Sequence, residues 1–408
     1  MFCHFLQKFL LSSLMSSRFN SSQGRITFTL HGWCLNTLSG TFYLTMSATQ
    51  TSHARIGSLW QQRMDTLREY EVVRDGNVFA TSFSNSIVFS SEYEIARQNL
   101  TDLLTRYDGY SIDRVFSGGR EQLNEGGTCY LLESYESFHI PAFDPYRYRE
   151  AVLGDLTLVH GIGKATETRL KLRGYRTLSD LAEHPKFRQG ARRVMECISA
   201  GGSGEIMELI GNRHAKSHPH VLGTAGLHEP EDYIFFDIET MGLFSRPIIL
   251  FGVGFLEHGR LVVRQYLLRD IAEEPAALLA TMDHFITRSP ALVTFNGKAF
   301  DAPYLADRLA FYGMSGFVDV PHFDVLHFSR RHWKDKFPSM RLAALEKEIL
   351  GVYRTDDVPG QMVPEFYETY LRTGNCGPLV PVVEHNRQDV VSLARLFFHL
   401  MGDLYGNC

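Results

Sequence analysis

Residues 233–239 read Tyr-Ile-Phe-Phe-Asp-Ile-Glu, an apolar run that ends in two acids. Such a run of large apolar residues predicts a buried β-strand. Because side chains alternate between the two faces of a strand, Asp237 and Glu239 should point to the same face. Neighbouring carboxylates repel unless a cation lies between them, so the pair indicates a metal site. The alternative is a strand that simply ends in polar residues.

The residues that follow this strand alternate between strand and helix patterns. We predict strands at about 248–256, 261–268 and 291–296, with helices at 273–288 and 302–313. The remaining chain is predicted to be mostly helical. Three strands followed by a helix, a strand and further helices are typical of an α/β layer fold.

A further acid follows the apolar strand Ala-Leu-Val-Thr-Phe at 291–295. The next residues are Asn-Gly-Lys-Ala-Phe-Asp-Ala-Pro, and they place Asp301 where a helix is predicted to begin. An Asp followed by Pro in the first turn is also good helix-capping chemistry, so a purely structural role for Asp301 is the alternative.

The last predicted helix carries a fourth acid on its apolar side. One stripe, with spacings of four, four, four and three, contains His385, Asp389, Leu393, Phe397 and Leu400. An acid that faces inward with apolar residues needs a partner, and a metal ion would supply one. The alternative is a local pair between His385 and Asp389 near the start of the helix.

The stretches FDIET (236–240), NGKAFDAP (296–303) and HNRQDV (385–390) resemble the three exonuclease motifs of the DEDD superfamily. More narrowly, the chain from Tyr233 to about Phe398 resembles the YprB-type ribonuclease H-like branch. The resemblance implies a mixed sheet flanked by helices, and a metal-dependent 3′→5′ exonuclease that releases nucleoside 5′-monophosphates.

The resemblance also implies the roles of individual residues. Two Mg²⁺ or Mn²⁺ ions would be held by Asp237, Glu239, Asp301 and Asp389 and would clamp the scissile phosphate. His385 would be the general base. It stands four residues before Asp389, whereas the family's histidine-type sites have an offset of five and an offset of four is the spacing of the tyrosine-type sites. We further assign nucleic-acid contacts to Asn296 and Lys298.

The stretch GIGKATETRL (161–170) resembles a helix-hairpin-helix motif, in which a glycine turn presents backbone N–H groups to a phosphate. Gly161 and Gly163 would form the turn, and Lys164 and Arg169 would add positive charge. Residues 155–193 contain nine lysines and arginines against four acids, within a chain of net charge -5. This local excess is expected of a sequence-independent backbone binder. The alternative is a helical hairpin that serves protein contacts.

We therefore predict an all-helical helix-hairpin-helix module at 151–215, a linker at 216–230 and the exonuclease domain at 231–408. Residues 52–150 are predicted to form a small α/β region of unknown role. It has a helical pattern near 93–107, an alternating stretch at 128–134, and turn signals at Gly118–Arg120 and 124–127 that predict a hairpin. Residues 1–51 are interpreted as a disordered or spurious extension.

Composition limits the possible functions. With 44% hydrophobic and 21% charged residues the chain resembles an ordinary globular protein, and its net charge of -5 argues against coating nucleic acid by bulk electrostatics. The six cysteines are scattered without a C-x-x-C pair, which indicates a reducing compartment, the cytoplasm, and no structural zinc site. The apolar run near the start is too short for a membrane span.

Three functions fit this pattern. The leading one is an exonuclease acting on nucleic acid, with DNA favoured, RNA possible and a helicase or repair partner unidentified. The second is a structure-specific endonuclease of the same fold, because two-metal chemistry does not itself require a free end. The third is a nucleic-acid adaptor whose nuclease domain has lost turnover; the four intact acids count against it.

Overall fold

The computed structural model describes residues 16–20, 25–30, 33–38, 41–45 and 87–406, without 142, 243–245, 287–289, 315–319 and 355–356, and side chains from residue 93 onward. The chain divides into two compact units, Met1–Val72 and Val73–Cys408. The first contains an antiparallel sheet in the order β1 (Ser16–Asn20), β2 (Arg25–Leu30), β3 (Trp33–Leu38) and β4 (Thr41–Thr45). The interpretation of residues 1–51 as an extension falls partly on residues outside the described ranges.

In the described part of the second unit, one mixed sheet has seven strands. The strands are β5 (Arg120–Asn124), β6 (Gly127–Ser137), β7 (Tyr233–Thr240), β8 (Ile248–Glu257), β9 (Arg260–Leu267), β10 (Ala291–Thr294) and β11 (His322–Asp324). Their order across the sheet is β11-β10-β7-β8-β9-β6-β5. Strand β10 is parallel to β7 and β11, and the other neighbours are antiparallel.

Strands β7 to β10 confirm the predicted order of elements, with bounds shifted by one or two residues. Strand β8 is buried from its first residue to its ninth, because both faces of the sheet are covered. The predicted hairpin near residues 118–127 is β5 and β6. Its position could not be predicted: β6 pairs along its length with β9, so the hairpin extends the main sheet.

Helices cover both faces of this sheet. The longer α-helices are α1 (Ile87–Arg106), α2 (Pro145–Leu153), α3 (Lys164–Leu172), α4 (Arg188–Ala200), α5 (Ser203–Gly211), α6 (Glu274–Ile286), α7 (Asp301–Phe311), α8 (Val325–Trp333), α9 (Val363–Thr373) and α10 (Leu379–Tyr405). Short α-helices span Ile112–Val115, Leu178–Leu181, Pro219–Gly223 and Leu342–Leu345. Short 3-10 helices span Leu156–Leu158, Thr224–Leu227, Pro230–Asp232, Ile271–Glu273 and Gly360–Met362, and a π-helical turn spans Glu346–Leu350. Within the described ranges, no helix combines the length and the apolar character that crossing a bilayer would need.

Alternation along β7 divides the core between the two faces of the sheet. Phe235 belongs to the cluster that contains the inner side of α10, whereas Ile234 and Phe236 belong to the cluster that contains α6 and α9. Asp237 and Glu239 continue the alternation of Phe235, so they face α10. The face that carries the acids is therefore the face that the last helix covers.

The region between α2 and Pro219 consists of helices joined by turns, and the module at 151–215 stays a prediction. Helical segments lie on both sides of the glycine hairpin. The second is α3, but the first is the single 3-10 turn Leu156–Leu158, where the Asp155 side chain accepts a hydrogen bond from Thr157 N at 3.0 Å. The apolar residues of this region belong to the same core cluster as α10.

Candidate active site

Asp237 lies near the end of β7, under helix α10. Asn386 of that helix donates a hydrogen bond from Nδ2 to Asp237 Oδ2 at 2.8 Å. The helix can approach so closely because β8 has glycines opposite it: a Cβ on Gly252 would lie 2.4 Å from Asn386 Oδ1, and one on Gly254 would lie 2.5 Å from Val390 Cγ1. These two glycines fix the separation between the acid and the helix.

Asn386 is itself held in place. It is fully buried, and its Oδ1 accepts a hydrogen bond from Gln265 Nε2 at 2.9 Å. The same Gln265 nitrogen also donates to the carbonyl oxygen of Val383 at 2.8 Å. A side-chain amide whose two ends are both occupied cannot rotate without breaking a buried hydrogen bond. The network therefore fixes the orientation of the Asp237 carboxylate.

Glu239 and Asp301 are the most buried acids of the site, at 8% and 4% exposure. Asp301, the first residue of α7, accepts a hydrogen bond at Oδ1 from Ile238 N at 3.2 Å, which brings α7 against β7. Burial and the charge of Asp389 raise the pKa of Glu239 to about 8, and burial with the charges of Asp324 and Asp389 raises that of Asp301 to about 7. Burial and the charges of Asp389 and Asp301 also raise the pKa of Asp237.

Asp389 has a cationic partner that the sequence did not suggest. Its Oδ1 accepts a hydrogen bond from Arg354 Nη2. The same guanidinium donates to both carboxylate oxygens of Glu346, each at 2.6 Å, and Glu346 is fully buried. Arg354 therefore links the catalytic candidate Asp389 to a buried structural acid.

His385 lies among carboxylates. Its Nδ1 is 2.6 Å from Asp357 Oδ1, and its Nε2 is 3.8 Å from Glu239 Oε1 and 3.6 Å from Asp389 Oδ2. Burial by itself would lower the pKa of His385, but the charges of Asp389, Glu239 and Asp357 outweigh burial and raise it to about 10. Nearby carboxylates thus favour the protonated form of this imidazole.

The five predicted residues of the carboxylate site thus meet at one place, although they come from three distant stretches of the chain. The four acids offer carboxylate oxygens, which Mg²⁺ and Mn²⁺ prefer, and burial together with neighbouring acids raises the pKa of three of them. Among the residues that the structure describes, however, no group of three or more His, Cys, Asp or Glu side chains is arranged to hold a metal ion as it stands. At Asp389 the compensating charge comes from Arg354.

Asn296 and Lys298, predicted to contact nucleic acid, lie in a loop fixed by Asp324. Asp324, at the end of β11, accepts hydrogen bonds from Asn296 N at 2.8 Å and from Lys298 N at 3.1 Å. Asn296 has a φ of 68°, which is uncommon outside glycine. Burial lowers the pKa of Lys298, although Asp324 opposes this shift. Asp324 therefore fixes the conformation of this loop, which lies directly before Asp301 in the chain.

The glycine turn that precedes α3 has the geometry expected of its sequence. Gly161 has a φ of 84°, which favours glycine, and Gly163 is the residue before the first turn of α3. The side chain of Lys164 is exposed and lies 3.4 Å from Glu167 Oε2. The exposed Arg169 donates from Nη2 to Thr166 Oγ1 at 3.3 Å. Both cations face solvent.

Sequence reasoning missed several residues that support the acids. Asn386 lies within the third motif and could have been suspected from its position one helical turn from Asp389. Arg354, Glu346, Gln265 and Asp324 gave no local signal, because nothing in their neighbouring residues distinguishes them from surface or core positions. Asp357 also gave no local signal, and the structure places its Oδ1 2.6 Å from His385 Nδ1.

Comparison with known proteins agrees with this fold. Residues 234–401 match a family model of the ribonuclease H superfamily. An uncharacterized protein of Bacillus subtilis (strain 168) named YprB is 34% identical over 201 residues, which is 48% of this chain and 48% of that protein. The chain thus spans about half the length of this curated relative. These matches confirm a ribonuclease H-like α/β domain and support a nuclease-type function.

Proposed function

We propose that residues 231–408 form a metal-dependent 3′→5′ exonuclease domain that hydrolyses phosphodiester bonds of nucleic acid, with DNA favoured. The observation that carries this proposal is the proximity of Asp237, Glu239, Asp301 and Asp389, where burial and mutual repulsion raise the pKa of the first three. Folding places these carboxyls where their ionisation is costly, and strongly shifted pKa values are typical of a functional site. The match to the ribonuclease H superfamily supports the reaction class.

The protein's own residues position the reaction. Asn386 orients Asp237, and Ile238 N orients Asp301, so two carboxylates are held against the end of β7. Mg²⁺ or Mn²⁺ bound between the acids would activate the attacking water and stabilise the departing 3′ oxygen. His385 would then accept a proton, since neutralising Asp389 and Glu239 would remove the charges that hold the pKa of its imidazole high.

The region 151–215 is proposed to retain the substrate. Its exposed Lys164 and Arg169, beside the glycine turn, can contact phosphates without reading sequence. The core of this region is continuous with the core under α10. The region that retains the nucleic acid would therefore be held at a fixed position relative to the carboxylates. The scattered cysteines, of which Cys129, Cys197 and Cys376 are free thiols, suit a reducing compartment such as the cytoplasm.

One observation favours the adaptor as a second candidate. Arg354 already pairs with Asp389, so the guanidinium occupies the place of a metal ion at this acid while the contact is present. A domain in which Arg354 never leaves would bind nucleic acid through its basic region and cleave nothing. The two candidates differ in whether a divalent cation can displace the guanidinium from Asp389.

The deciding experiment is digestion of end-labelled DNA and RNA with Mg²⁺ or Mn²⁺ by the wild-type protein, Asp237→Ala and Asp389→Ala. A matched control is Asp335→Ala, which removes an exposed acid. We expect mononucleotides from free ends with the wild type and the control, and none with the site variants, which should still bind. Cleavage of circular substrates would replace the exonuclease with an endonuclease. Binding without cleavage by the wild type would leave the adaptor.

A further inference from the structure

A groove of about 350 Å³ leads from the candidate site to helix α1. On the site side it is lined by His385, Arg354 and Asp357, of which His385 and Arg354 contact Asp389. On the opposite side it is lined by α1, through Asn99 and Arg106 among others. The groove therefore borders the candidate active site at His385, and its far wall comes from residues outside the matched range 234–401.

Helix α1 is firmly attached to the nuclease-like domain. Ala96 and Leu100 are buried in the core cluster that also contains Phe366 of α9. Tyr93 Oη donates a hydrogen bond to Gln361 Oε1 at 3.1 Å, and Asn375 Nδ2 donates to the carbonyl oxygen of Leu104 at 2.8 Å. Contacts from Tyr93 to Leu104 hold this part of the helix against the domain, so α1 is an integral wall of the groove.

The lining suits a nucleoside with one phosphate better than a polyanion. Apolar Val358 and Phe366 form part of the lining, and the exposed ring of Tyr353 offers a face on which a base can stack. Arg106 is exposed and makes no ion pair with any other described side chain, which leaves it available for a phosphate. The acids Asp102 and Glu384 also line the groove, so a long run of phosphates would be repelled.

We propose that α1 forms one wall of a nucleoside subsite that receives the terminal nucleoside of the substrate strand, next to the phosphodiester at the carboxylates. This inference rests on the proposed function. The volume is near the lower end of the range for ligand pockets, which fits one nucleoside and not a duplex. The subsite would make the domain prefer the end of a strand. A terminal nucleoside can enter the groove by itself, whereas an internal nucleoside must bring the adjoining nucleotide with it.

The test compares two bulky substitutions on the same helix. Asn99→Trp fills the groove, whereas Thr101→Trp places the same side chain on the exposed face of α1 outside the lining. A second pair reverses charge: Arg106→Glu in the groove and Arg114→Glu, an exposed arginine outside it. The charge pair changes only exposed side chains, so it remains informative even if Asn99→Trp fails to fold.

Two readouts keep this inference separate from the proposed function. The first is KM and kcat on a labelled oligonucleotide, where both groove variants should raise KM by about tenfold and the controls should not. The second is the Kd of adenosine 5′-monophosphate without divalent cation, compared with adenosine and with inorganic phosphate. We expect Asn99→Trp to weaken binding of the nucleotide and the nucleoside, and Arg106→Glu to weaken binding of the nucleotide and phosphate.

Groove variants that match their controls in both readouts overturn the subsite, even when the wild type cleaves. A wild type that cleaves no nucleic acid contradicts the proposed function, and the adenosine 5′-monophosphate comparison then decides the subsite by itself. Wild-type protein that binds none of the three probes also overturns the subsite. Cleavage of free ends together with a selective loss in the groove variants supports both.

Discussion

Asn386 holds Asp237 by a side-chain hydrogen bond of 2.8 Å, and through Gln265 it ties this acid to strand β9. The acid belongs to β7 and the amide to α10, so the bond also joins the sheet to the last helix. The orientation of the carboxylate is thus a property of the packed domain and not of the strand that carries it.

Replacing Asn386 should therefore damage activity more than a comparable loss of hydrogen bonding elsewhere. Asn386→Leu removes the donor to Asp237 and leaves Gln265 Nε2 with one fewer partner. We expect the cleavage rate to fall by about 10- to 100-fold, as for residues that orient metal ligands, and the free energy of unfolding to fall by about 1–3 kcal/mol. The measurements are kcat and denaturant unfolding.

The matched control for this variant is Asn124→Leu. Asn124 Nδ2 donates to the carbonyl oxygen of Ala276 at 2.8 Å, far along the sheet from the acids. This variant should lose stability and keep its kcat. Equal kcat values for the two variants would show that Asn386 has only a structural role.

Arg354 should stabilise the fold and compete with metal ions for Asp389. Arg354→Gln leaves the buried Glu346 without its bidentate partner, and breaking a buried ion pair from one side costs about 3–5 kcal/mol. The same change frees Asp389, so Mn²⁺ should bind more tightly than to the wild type. The measurements are denaturant unfolding and a Mn²⁺ titration followed by electron paramagnetic resonance.

Arg308→Gln provides the comparison, because Arg308 pairs with the buried Glu274 away from the carboxylate site. It should destabilise the protein to a similar degree and leave the Mn²⁺ affinity unchanged. Adding Glu346→Gln to Arg354→Gln should restore part of the lost stability, since no unpaired charge then remains buried. Unchanged Mn²⁺ affinity in Arg354→Gln would mean that the guanidinium does not compete with the cation.

Without divalent cations, stability should fall as pH rises through the range in which Glu239 ionises. The pKa of this carboxyl is raised from 4.5 to about 8 on folding, so the folded protein retains a proton that the unfolded chain has already lost. The destabilisation begins near the unfolded pKa and is complete above the folded one. Thermal unfolding in a chelator at about pH 6 and at about pH 9 measures it.

Glu239→Gln is the control for that series, because the amide cannot ionise. Its midpoint should change less with pH than that of the wild type, and Mg²⁺ should raise the wild-type midpoint most at high pH, where the free carboxylates repel. Identical pH dependence of the unfolding midpoint in the two proteins would show that ionisation of Glu239 does not cause the loss of stability.

Charge reversal beside the glycine turn should weaken nucleic-acid binding and reduce its dependence on salt. If Lys164 and Arg169 each neutralise one phosphate, the double variant Lys164→Glu, Arg169→Glu should lower the slope of log affinity against log salt by about 2 on duplex DNA. Arg260→Glu, an exposed arginine at the start of β9, has the same type of charge change outside the region. Equal slopes for the double variant and the wild type would discredit the binding module.

The sequence by itself determined the order of the elements and the identity of the acids. An apolar strand followed by acids at alternate positions, and a helix with one apolar stripe, are local patterns, and local sterics with the hydrophobic effect decide them. Strands β7 to β10 and helices α6 and α7 lie within a few residues of their predicted positions. The 3-10 turn at Leu156–Leu158 shows the limit, since a short apolar period cannot separate one turn from a helix.

Only the tertiary structure decided what surrounds the acids. Arg354 reaches Asp389 across 35 residues, Gln265 reaches Asn386 across 121, and the hairpin of β5 and β6 joins β9 from more than one hundred residues away. Such contacts depend on how distant elements pack, and the residues of one element do not indicate which other element will lie against it. A carboxylate's pKa, its cation and the wall of its groove arise from these distant neighbours, because charge and burial act through space and not along the chain.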